Sequence, residues 1–500
     1  MFFFVNQYLL SSNSSIEHAE IKRLKLFKEN NTPAKLATRD FDPIIHSTLG
    51  RFGLDDDQLV NMFDFFAGTV NYKGHLFHTQ DLHLPYDYQV SDGSNSRTVK
   101  DGDRLVAEIF FTGGTIGLVD HVDFYDVAGN ITLRQHFDIR GFKAVDVFFG
   151  QDGQIHYERY YRPDGSNYLD RYYVQSTQNT PINSLNVLKN YHGKNYYFDG
   201  IDELFAFFLQ ELDSSYDGVN SFIADRPAIA IRPVLQLPKA AKKYLWLPFN
   251  HVDDGQDPIN GPLNGLISEA VTKDLAKWNG IIVMTQHQHD LLQKKIGNRT
   301  PIYVINGTPV KHTNKRVPMN KRLSHNIIYV GRLGNDKQIS SLISIYSLVH
   351  KKIKDSKLTL YGYGSPSDTH NYKEQVKQAG LENKIIFAGY QVKLANVYDQ
   401  AQLFVDTSRI DAQPLAMGEA LSHGVPVISF DYFYGPNELI KPGVNGELIN
   451  LGNEKKFADT IVSLLKDQKK LQELSNGAYA STDSIDAATT WKQWQELIQH

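Results

Sequence analysis

The chain has 500 residues, which is longer than one ordinary hydrophobic core and predicts two or three domains. Hydrophobic residues make up 41% and charged residues 22%, a globular balance that excludes a disordered, collagen-like or heptad-dominated chain. The net charge of -4 argues against nucleic acid as a partner, because phosphate binding needs a concentrated basic face. The absence of cysteine excludes disulfide scaffolds, Cys-ligated zinc, iron–sulfur clusters and thiolate catalysis.

The apolar run at residues 1–5 is relevant to the cellular location of the protein. Residues 1–5 are apolar, but no basic residue precedes them and Asn6-Gln7 ends the run. This run is too short for a signal peptide or a membrane span, and no later run reaches membrane length. We therefore expect a cytoplasmic protein.

The N-terminal segment is typical of an α/β nucleotide-binding domain. Residues 2–5 predict a strand, residues 10–15 form a polar loop, and apolar residues at helical spacing follow from Ile16. Ser14, with Glu17 three residues later, predicts a capping box at the start of this helix.

Residues 76–195 have a different pattern, with short aromatic stretches between turn signals. The stretches that predict strands are 104–111, 123–126, 131–137, 155–161 and 168–173. Gly129-Asn130, Asp152-Gly153 and Asp164-Gly165 separate them, which indicates an antiparallel meander. A helical pattern resumes at residues 204–209, so the meander is an insertion. Its rings either cover a thin sheet or form an acceptor or partner surface.

The rest of the chain alternates buried strands with helical stretches. The predicted strands of the first half are 228–231, 243–247, 280–284 and 301–305, and those of the second half are 326–330, 358–361, 384–387, 403–405 and 425–429. Residues 311–322 predict a basic linker between the halves. Two doubly wound domains form a cleft, and their ligands bind at the carboxyl ends of the strands.

Two glycine-containing loops follow strands of the second half. Arg332 and Lys337 lie in the first loop, and an arginine fork with a lysine point charge suits a diphosphate. A solvated loop with two surface cations is the alternative. Gly362 and Gly364 lie in the second loop, where they allow either close approach of the backbone or a tight turn.

The third motif pairs two carboxylates across a loop. Glu419 stands eight positions after Asp411, where a helix is expected to begin, and Leu415 lies in the short loop between them. Loop amides and the N-terminus of that helix would face an anion. A carboxylate at Glu419 could accept hydrogen bonds from two ribose hydroxyls.

Together these motifs resemble the retaining GT-B glycosyltransferases of family four. The resemblance implies that Arg332 and Lys337 bind the donor diphosphate, that Glu419 holds the ribose, and that Asp411 orients the sugar. It also implies that Gly362, Gly364 and Leu415 contribute to nucleotide binding. A His-rich turn of the family is represented here by His251, which the resemblance makes a candidate catalytic residue; a purely structural imidazole is the alternative. Cations and helix ends can offset the departing diphosphate, so we expect neither a metal nor a cofactor.

Two features depart from the family pattern. The family has Glu-x-Phe-Gly-Leu where this chain has Asp411-Ala412-Gln413-Pro414-Leu415, so the first carboxylate is one methylene shorter and Pro414 lacks a backbone donor. Pro248 stands where a second histidine is often found.

With the aromatic insertion, the chain looks like two related groups. One comprises bacterial poly(glycerol-phosphate) α-glucosyltransferases, and the other comprises glycosyltransferase subunits that O-glycosylate serine-rich surface proteins. The implied fold class is α/β of GT-B type, with two Rossmann-like domains and an antiparallel β-sheet insertion in the first. The expected domains are an acceptor-side domain (1–75 and 196–310), the insertion (76–195), a nucleotide-sugar domain (311–475) and a C-terminal helix packing on the first domain (476–500).

The expected function is transfer of glucose or N-acetylglucosamine from a UDP-sugar to a hydroxyl of a cell-surface acceptor, either teichoic acid or Ser/Thr of a surface protein. Such acceptors leave open a peripheral position at the inner face of the cell membrane. We expect a homo-oligomer or a complex with a homologous subunit. A non-catalytic stabilising subunit that binds acceptor is the main alternative, and a sugar-nucleotide epimerase is a weaker one.

Other acidic and histidine motifs carry less weight. Residues 55–57 and Asp253-Asp254 predict helix caps or solvated acids rather than a metal site. His287 and His289 predict surface residues, because no third ligand accompanies them.

Overall fold

A computed structural model describes residues 1–311 and 315–499. The chain opens with strands and helices in alternation. They are β1 (Phe2–Asn6), α1 (Ser15–Glu29), β2 (Ala34–Thr38), α2 (Ile45–Phe52), β3 (Leu59–Asn61) and α3 (Met62–Ala67). The capping box is confirmed: the Ser14 backbone N–H donates to Glu17 Oε2 at 2.8 Å, and the Ser14 hydroxyl accepts from Ile16 N–H.

The insertion is an antiparallel sheet of ten strands that pair in chain order. They are β4 (Gln89–Val90), β5 (Ser96–Asp101), β6 (Arg104–Phe111), β7 (Val119–Tyr125), β8 (Ile131–Asp138), β9 (Phe142–Phe149), β10 (Ile155–Tyr161), β11 (Asn167–Gln175), β12 (Pro181–Tyr191) and β13 (Lys194–Phe198). The predicted meander is confirmed, and each predicted strand overlaps an observed one. One side of the sheet packs on α3, where the Tyr160 ring lies 4.8 Å from that of Phe63.

The α/β pattern returns after the insertion. Its elements are α4 (Ile201–Ser214), β14 (Ser221–Ala224), α5 (Pro227–Leu235), β15 (Lys242–Trp246), β16 (Gly280–Val283), α6 (Gln286–Ile296) and β17 (Ile302–Val304). The strand predicted at residues 228–231 is wrong, because these residues belong to α5. Pro227 favours the first position of a helix, and the short Ala-Ile repeat fits helical and strand periods equally well.

The C-terminal part holds a second parallel sheet with the order β20-β19-β18-β21-β22-β23. Its strands are β18 (Asn326–Val330), β19 (Lys357–Tyr361), β20 (Ile385–Gly389), β21 (Leu403–Asp406), β22 (Val427–Asp431) and β23 (Gly446–Asn450). Its helices are α7 (Ile339–Lys352), α8 (Pro366–Gln378), α9 (Ala395–Gln400), α10 (Leu415–Ser422), α11 (Pro436–Leu439), α12 (Glu454–Lys466), α13 (Gln468–Ala480) and α14 (Ala487–Gln499).

Helices cover both faces of this sheet. Ile327 packs in a core with residues of α7 and α12, whereas the adjacent Ile328 packs with residues of α10. The central strand β18 is therefore apolar on both sides, as expected for a parallel sheet. Loops at the carboxyl ends of the strands are left to form a site.

The chain forms two compact units. The first contains Met1–Ser11 and Thr32–Lys243, and the second contains Ser12–Asn31 and the residues from Tyr244 onward. The first unit includes the parallel strands β14-β1-β2-β3, and the second includes β15-β16-β17. These units divide the chain differently from the predicted domains, whose boundaries stay a prediction. Residues 312–314 of the predicted linker and residue 500 lie outside the described residues.

The C-terminal helix packs within the second unit. The Trp494 ring of α14 stacks on that of Trp246 at 6.2 Å and lies 5.1 Å from that of Phe27 in α1. Among the described residues, every helix is too short or too polar to cross a bilayer.

Candidate active site

Two loops at the carboxyl ends of β18 and β19 touch through their backbones. Gly331 N–H donates to the Tyr361 carbonyl at 2.9 Å, and Leu333 N–H donates to the Tyr363 carbonyl at 2.7 Å. A Cβ atom on Gly362 would lie 1.8 Å from the Gly331 oxygen, and one on Gly364 would lie 2.5 Å from the Leu333 oxygen. Both glycines are therefore required by contact between the loops. Their predicted role in nucleotide binding stays a prediction.

Lys337 and Asp411 form a buried ion pair. Lys337 Nζ lies 2.6 Å from Asp411 Oδ2, and the side chains are only 12% and 22% exposed. Burial disfavours the charge of Lys337, but the carboxylates of Asp411 and Asp406 outweigh it and raise the pKa of the ammonium. The site thus holds a permanent cation directly beside the carboxylate that the sequence predicts to orient the sugar.

Arg332 is the more accessible cation of the two. Its side chain is 49% exposed, and Nη2 lies 3.0 Å from Asp336 Oδ2. The same Asp336 oxygen lies 3.8 Å from Lys337 Nζ. Asp336 therefore lies close to both cations, and Arg332 is the more exposed of the two.

Glu419 is placed by α10, which begins at Leu415, four residues before the predicted start at Glu419. Its carboxylate forms an ion pair with Lys22 of α1, and the Tyr398 hydroxyl donates to Oε2 at 2.8 Å. Burial would raise the pKa of Glu419, but Lys22 and the Tyr398 hydroxyl lower it below its ordinary value. The lowered pKa keeps Glu419 an ionised hydrogen-bond acceptor.

His251 is a buried, neutral imidazole. Its Nε2 lies 2.8 Å from the Pro258 carbonyl, which only accepts, so Nε2 carries the proton. Burial lowers the pKa of His251. Nδ1 is 3.4 Å from the Tyr434 hydroxyl, and Tyr434 N–H donates to the Asp411 carbonyl at 2.7 Å. His251 is thus linked to the Asp411 loop through Tyr434, while its predicted catalytic role stays a prediction.

Sequence reasoning missed several neighbours of these residues. Lys22 is 397 positions from Glu419, and no local pattern indicates their contact. His287 was expected at the surface, but it is half-buried, and its ring lies 5.2 Å from that of Phe433 and 5.4 Å from that of Tyr434. This correction follows from the fold, which brings the start of α6 against the loop after β22.

Asp55 takes the predicted role of a cap, whereas Asp253 and Asp254 each have a side-chain partner. Asp55 forms a capping box with Gln58 at a 3-10 turn. Asp253 accepts from Asn264 Nδ2 at 2.7 Å, and Asp254 pairs with Arg409 at 2.5 Å.

Comparison with known proteins defines the class. Residues 313–481 match the family model described as glycosyl transferases group 1, and residues 88–192 match the GtfB middle domain. The crystal structure of Staphylococcus aureus TarM G117R in complex with Fondaparinux, alpha-GlcNAc-glycerol and UDP superposes with a TM-score of 0.82 at 22% identity, covering 100% of this chain and 99% of that one. The chain therefore has the GT-B fold of glycosyltransferases, and the predicted fold class and resemblance are confirmed.

Particular relatives sharpen the comparison. The poly(glycerol-phosphate) alpha-glucosyltransferase of Bacillus subtilis (strain 168) is 23% identical over 99% of this chain and 74% of its own length. The poly(ribitol-phosphate) alpha-N-acetylglucosaminyltransferase of Staphylococcus aureus (strain COL) is 24% identical over 95% of both chains. The structure of the pneumococcal O-GlcNAc transferase GtfA in complex with UDP and GlcNAc gives a TM-score of 0.85 at 18% identity, covering 100% of this chain and 98% of that one. The predicted enzyme class, a glycosyltransferase, is confirmed.

Proposed function

We propose that this chain transfers glucose or N-acetylglucosamine from a UDP-sugar, with retention of configuration, to a hydroxyl of a cell-surface acceptor. The acceptor is either a teichoic acid or Ser/Thr of a surface protein, which are the two classes that the relatives represent. The buried Lys337–Asp411 pair beside the exposed Arg332 carries this proposal. A cytoplasmic location, where UDP-sugars are made, is part of it.

Each charged group has a distinct task in this scheme. Arg332 and Lys337 stabilise negative charge on the leaving diphosphate, and such preorganised donors contribute most where the charge develops. Glu419 accepts from the ribose hydroxyls, and Asp411 accepts from a sugar hydroxyl. The scheme uses no covalent nucleophile. The acceptor hydroxyl attacks from the face that the diphosphate leaves, within the ion pair formed by the sugar and the departing diphosphate.

The overall reaction is tested by a donor screen. Purified protein is incubated with UDP-glucose or UDP-N-acetylglucosamine, with and without a teichoic acid or a serine-rich peptide, and UDP release and sugar transfer are measured. One donor should give acceptor-dependent UDP release. Absence of release with every UDP-sugar and acceptor would contradict the proposal.

The nucleotide site gives a separate prediction for Glu419. Glu419→Gln should weaken UDP binding by at least ~10-fold, because hydrogen bonds to a charged group contribute about 1.5–3 kcal/mol. Isothermal titration with UDP measures the change, and Glu473→Gln, at an exposed carboxylate of the same unit, is the matched control. An unchanged dissociation constant would remove Glu419 from the nucleotide site.

A second candidate function is a stabilising subunit that does not catalyse transfer. The match of residues 88–192 to the GtfB middle domain favours it. A crystal structure of a GtfA/B complex also superposes with a TM-score of 0.78 at 19% identity. The retained Arg332, Lys337 and Glu419 favour the enzyme instead. UDP titration distinguishes the two, because a stabilising subunit has no need to bind the nucleotide.

Assembly through the insertion completes the proposal. Four apolar side chains on β11 to β13 are exposed: Tyr172 by 40%, Val174 by 54%, Ile182 by 51% and Tyr197 by 66%. Val174 and Ile182 are direct cross-strand partners. An exposed apolar patch of this kind suits a second copy of the chain or a homologous subunit.

Introducing charged side chains into this exposed apolar patch tests the assembly prediction. Val174→Lys with Ile182→Lys should weaken self-association by at least ~10-fold, since each 1.4 kcal/mol of lost contact is tenfold in affinity. Light scattering over a concentration series measures it, with Val127→Lys on an exposed turn of the same sheet as control. If the unmodified protein is monomeric at all concentrations, alone and with a homologous subunit, the assembly proposal is wrong.

A further inference from the structure

Three potential metal ligands converge in the insertion. One nitrogen from each ring of His121 and His136 and one carboxylate oxygen of Asp120 all lie within 4.8 Å of one another. Asp120 and His121 belong to β7 and His136 to β8. This cluster lies in the first unit, whereas every residue of the candidate active site lies in the second. The proposed transfer reaction makes no use of it.

Strand register explains why these side chains meet. His121 and His136 are direct partners in the antiparallel β7–β8 pair, so both rings project from the same face of the sheet. In a regular strand Asp120 would project from the opposite face. Here the pairing with β6 steps from His121↔Phe110 to Val119↔Phe111, which leaves Asp120 as a bulged residue. A bulge redirects a side chain, and Asp120 Oδ2 comes to 2.6 Å from His121 Nδ1.

Stacking and burial constrain the two imidazole rings. The Phe110 ring stacks on that of His121 at 4.4 Å and 12°. His136 Nδ1 is buried and has no hydrogen-bond partner within the described part of the chain. The nearby Arg134 is engaged by Asp123 through two hydrogen bonds, of 2.6 and 2.7 Å.

We propose that Asp120, His121 and His136 bind a transition-metal ion of the Zn²⁺ class. Two imidazoles and a carboxylate form a donor set that Zn²⁺ accepts, and neighbouring ions of the series such as Co²⁺ and Ni²⁺ fit it as well. Ligand atoms of a tetrahedral Zn²⁺ site lie about 3.3 Å apart, given bonds of roughly 2.0–2.1 Å. The cluster therefore needs only small side-chain rotations to close on the ion.

Bound metal would join β7 to β8 and leave one position open. Three protein ligands do not fill a tetrahedral site, so water or an anionic group of a ligand takes the fourth place. The ion would also provide a partner for the imidazole of His136.

Titration of the full chain with metal tests this site. After treatment with a chelator, the protein should bind one equivalent of Co²⁺ with the visible absorption of a low-coordinate site, and Zn²⁺ should displace it. His121→Gln and His136→Gln should each weaken binding by at least ~100-fold, which exceeds the ~10–100-fold typical for outer-sphere residues. The control is His156→Gln, an exposed histidine of β10, which should bind as the unmodified protein does.

The melting temperature provides a second readout. It should rise with Zn²⁺ concentration for the unmodified protein and His156→Gln, because a ligand specific for the native state stabilises it. Asp120→Asn changes the side-chain shape least of the three substitutions and should weaken Zn²⁺ binding by at least ~10-fold. It is the test to use if a histidine variant fails to fold. Absence of metal binding to the unmodified protein, or binding that survives all three ligand substitutions, would overturn the proposal.

Discussion

Lys337→Ala should lower the rate of sugar transfer by at least ~100-fold, the scale of one lost transition-state donor. The ammonium lies beside Asp411, is only 12% exposed, and its pKa is raised by neighbouring carboxylates. Removing it takes positive charge from the place where the diphosphate departs. Initial rates of UDP release with each UDP-sugar measure the effect, and Arg332→Ala should reduce the rate comparably.

The chain offers a matched control for this substitution. Lys352 and Asp459 form an ion pair at the same 2.6 Å, but their side chains are 53% and 44% exposed. Lys352→Ala should leave the rate within about twofold, since exposed pairs contribute roughly 0–1 kcal/mol. Thermal melts distinguish lost chemistry from lost structure. A normal rate for Lys337→Ala in a folded protein would exclude the Lys337–Asp411 pair from the mechanism.

Features set by short-range interactions could be predicted from the sequence. The Ser14–Glu17 capping box depends on residues three apart, and the Asp-Gly turns depend on adjacent residues. Buried parallel strands such as β18 and β22 were also predicted, since both of their faces are apolar. The strand prediction for residues 228–231 was wrong, because a four-residue apolar run does not distinguish a strand from a helix.

The candidate site was predictable in its residue types but not in its contacts. Gly362 and Gly364 were expected to allow close approach of the backbone or a tight turn, and the partner in that close approach is the neighbouring loop. Lys22 could not be assigned to Glu419, because helix α1 is placed there only by the folded second unit. Such long-range pairs arise from the packing of whole elements, which a local pattern does not encode.

The Lys22–Glu419 contact bears on nucleotide binding. Lys22 and the Tyr398 hydroxyl already occupy the two oxygens of Glu419. In the proposed scheme, the ribose hydroxyls of UDP would have to share or displace these donors. We expect that Lys22→Met, which keeps a long side chain without the charge, changes UDP affinity, whereas Lys273→Met, at an exposed pair, leaves it unchanged. Equal affinities for the two variants would mean that Lys22 is remote from the nucleotide.

In the proposed scheme, Asp411 must contact the sugar with a side chain one methylene shorter than a glutamate. A glutamate would extend one methylene further, but Asp411 is held by its backbone on both sides. Its N–H donates to the Phe433 carbonyl at 3.3 Å, and its carbonyl accepts from Tyr434 N–H at 2.7 Å. Lys337 fixes the side chain itself. The carboxylate is thus preorganised, which matters more for catalysis than reach alone.

Asp411→Asn should therefore abolish sugar transfer, with a loss of at least ~1000-fold, while UDP still binds. Asparagine has nearly the same shape, but it removes the charge that orients the sugar and pairs with Lys337 Nζ. UDP affinity should change little, because Asp411 contacts the sugar in the proposed scheme and Glu419 the nucleotide. Asp459→Asn, at the exposed pair, is the control for both measurements. Normal transfer by Asp411→Asn would mean that Asp411 is an acidic loop residue without a role in transfer. Loss of UDP binding together with transfer would mean that Asp411 contacts the nucleotide instead of the sugar.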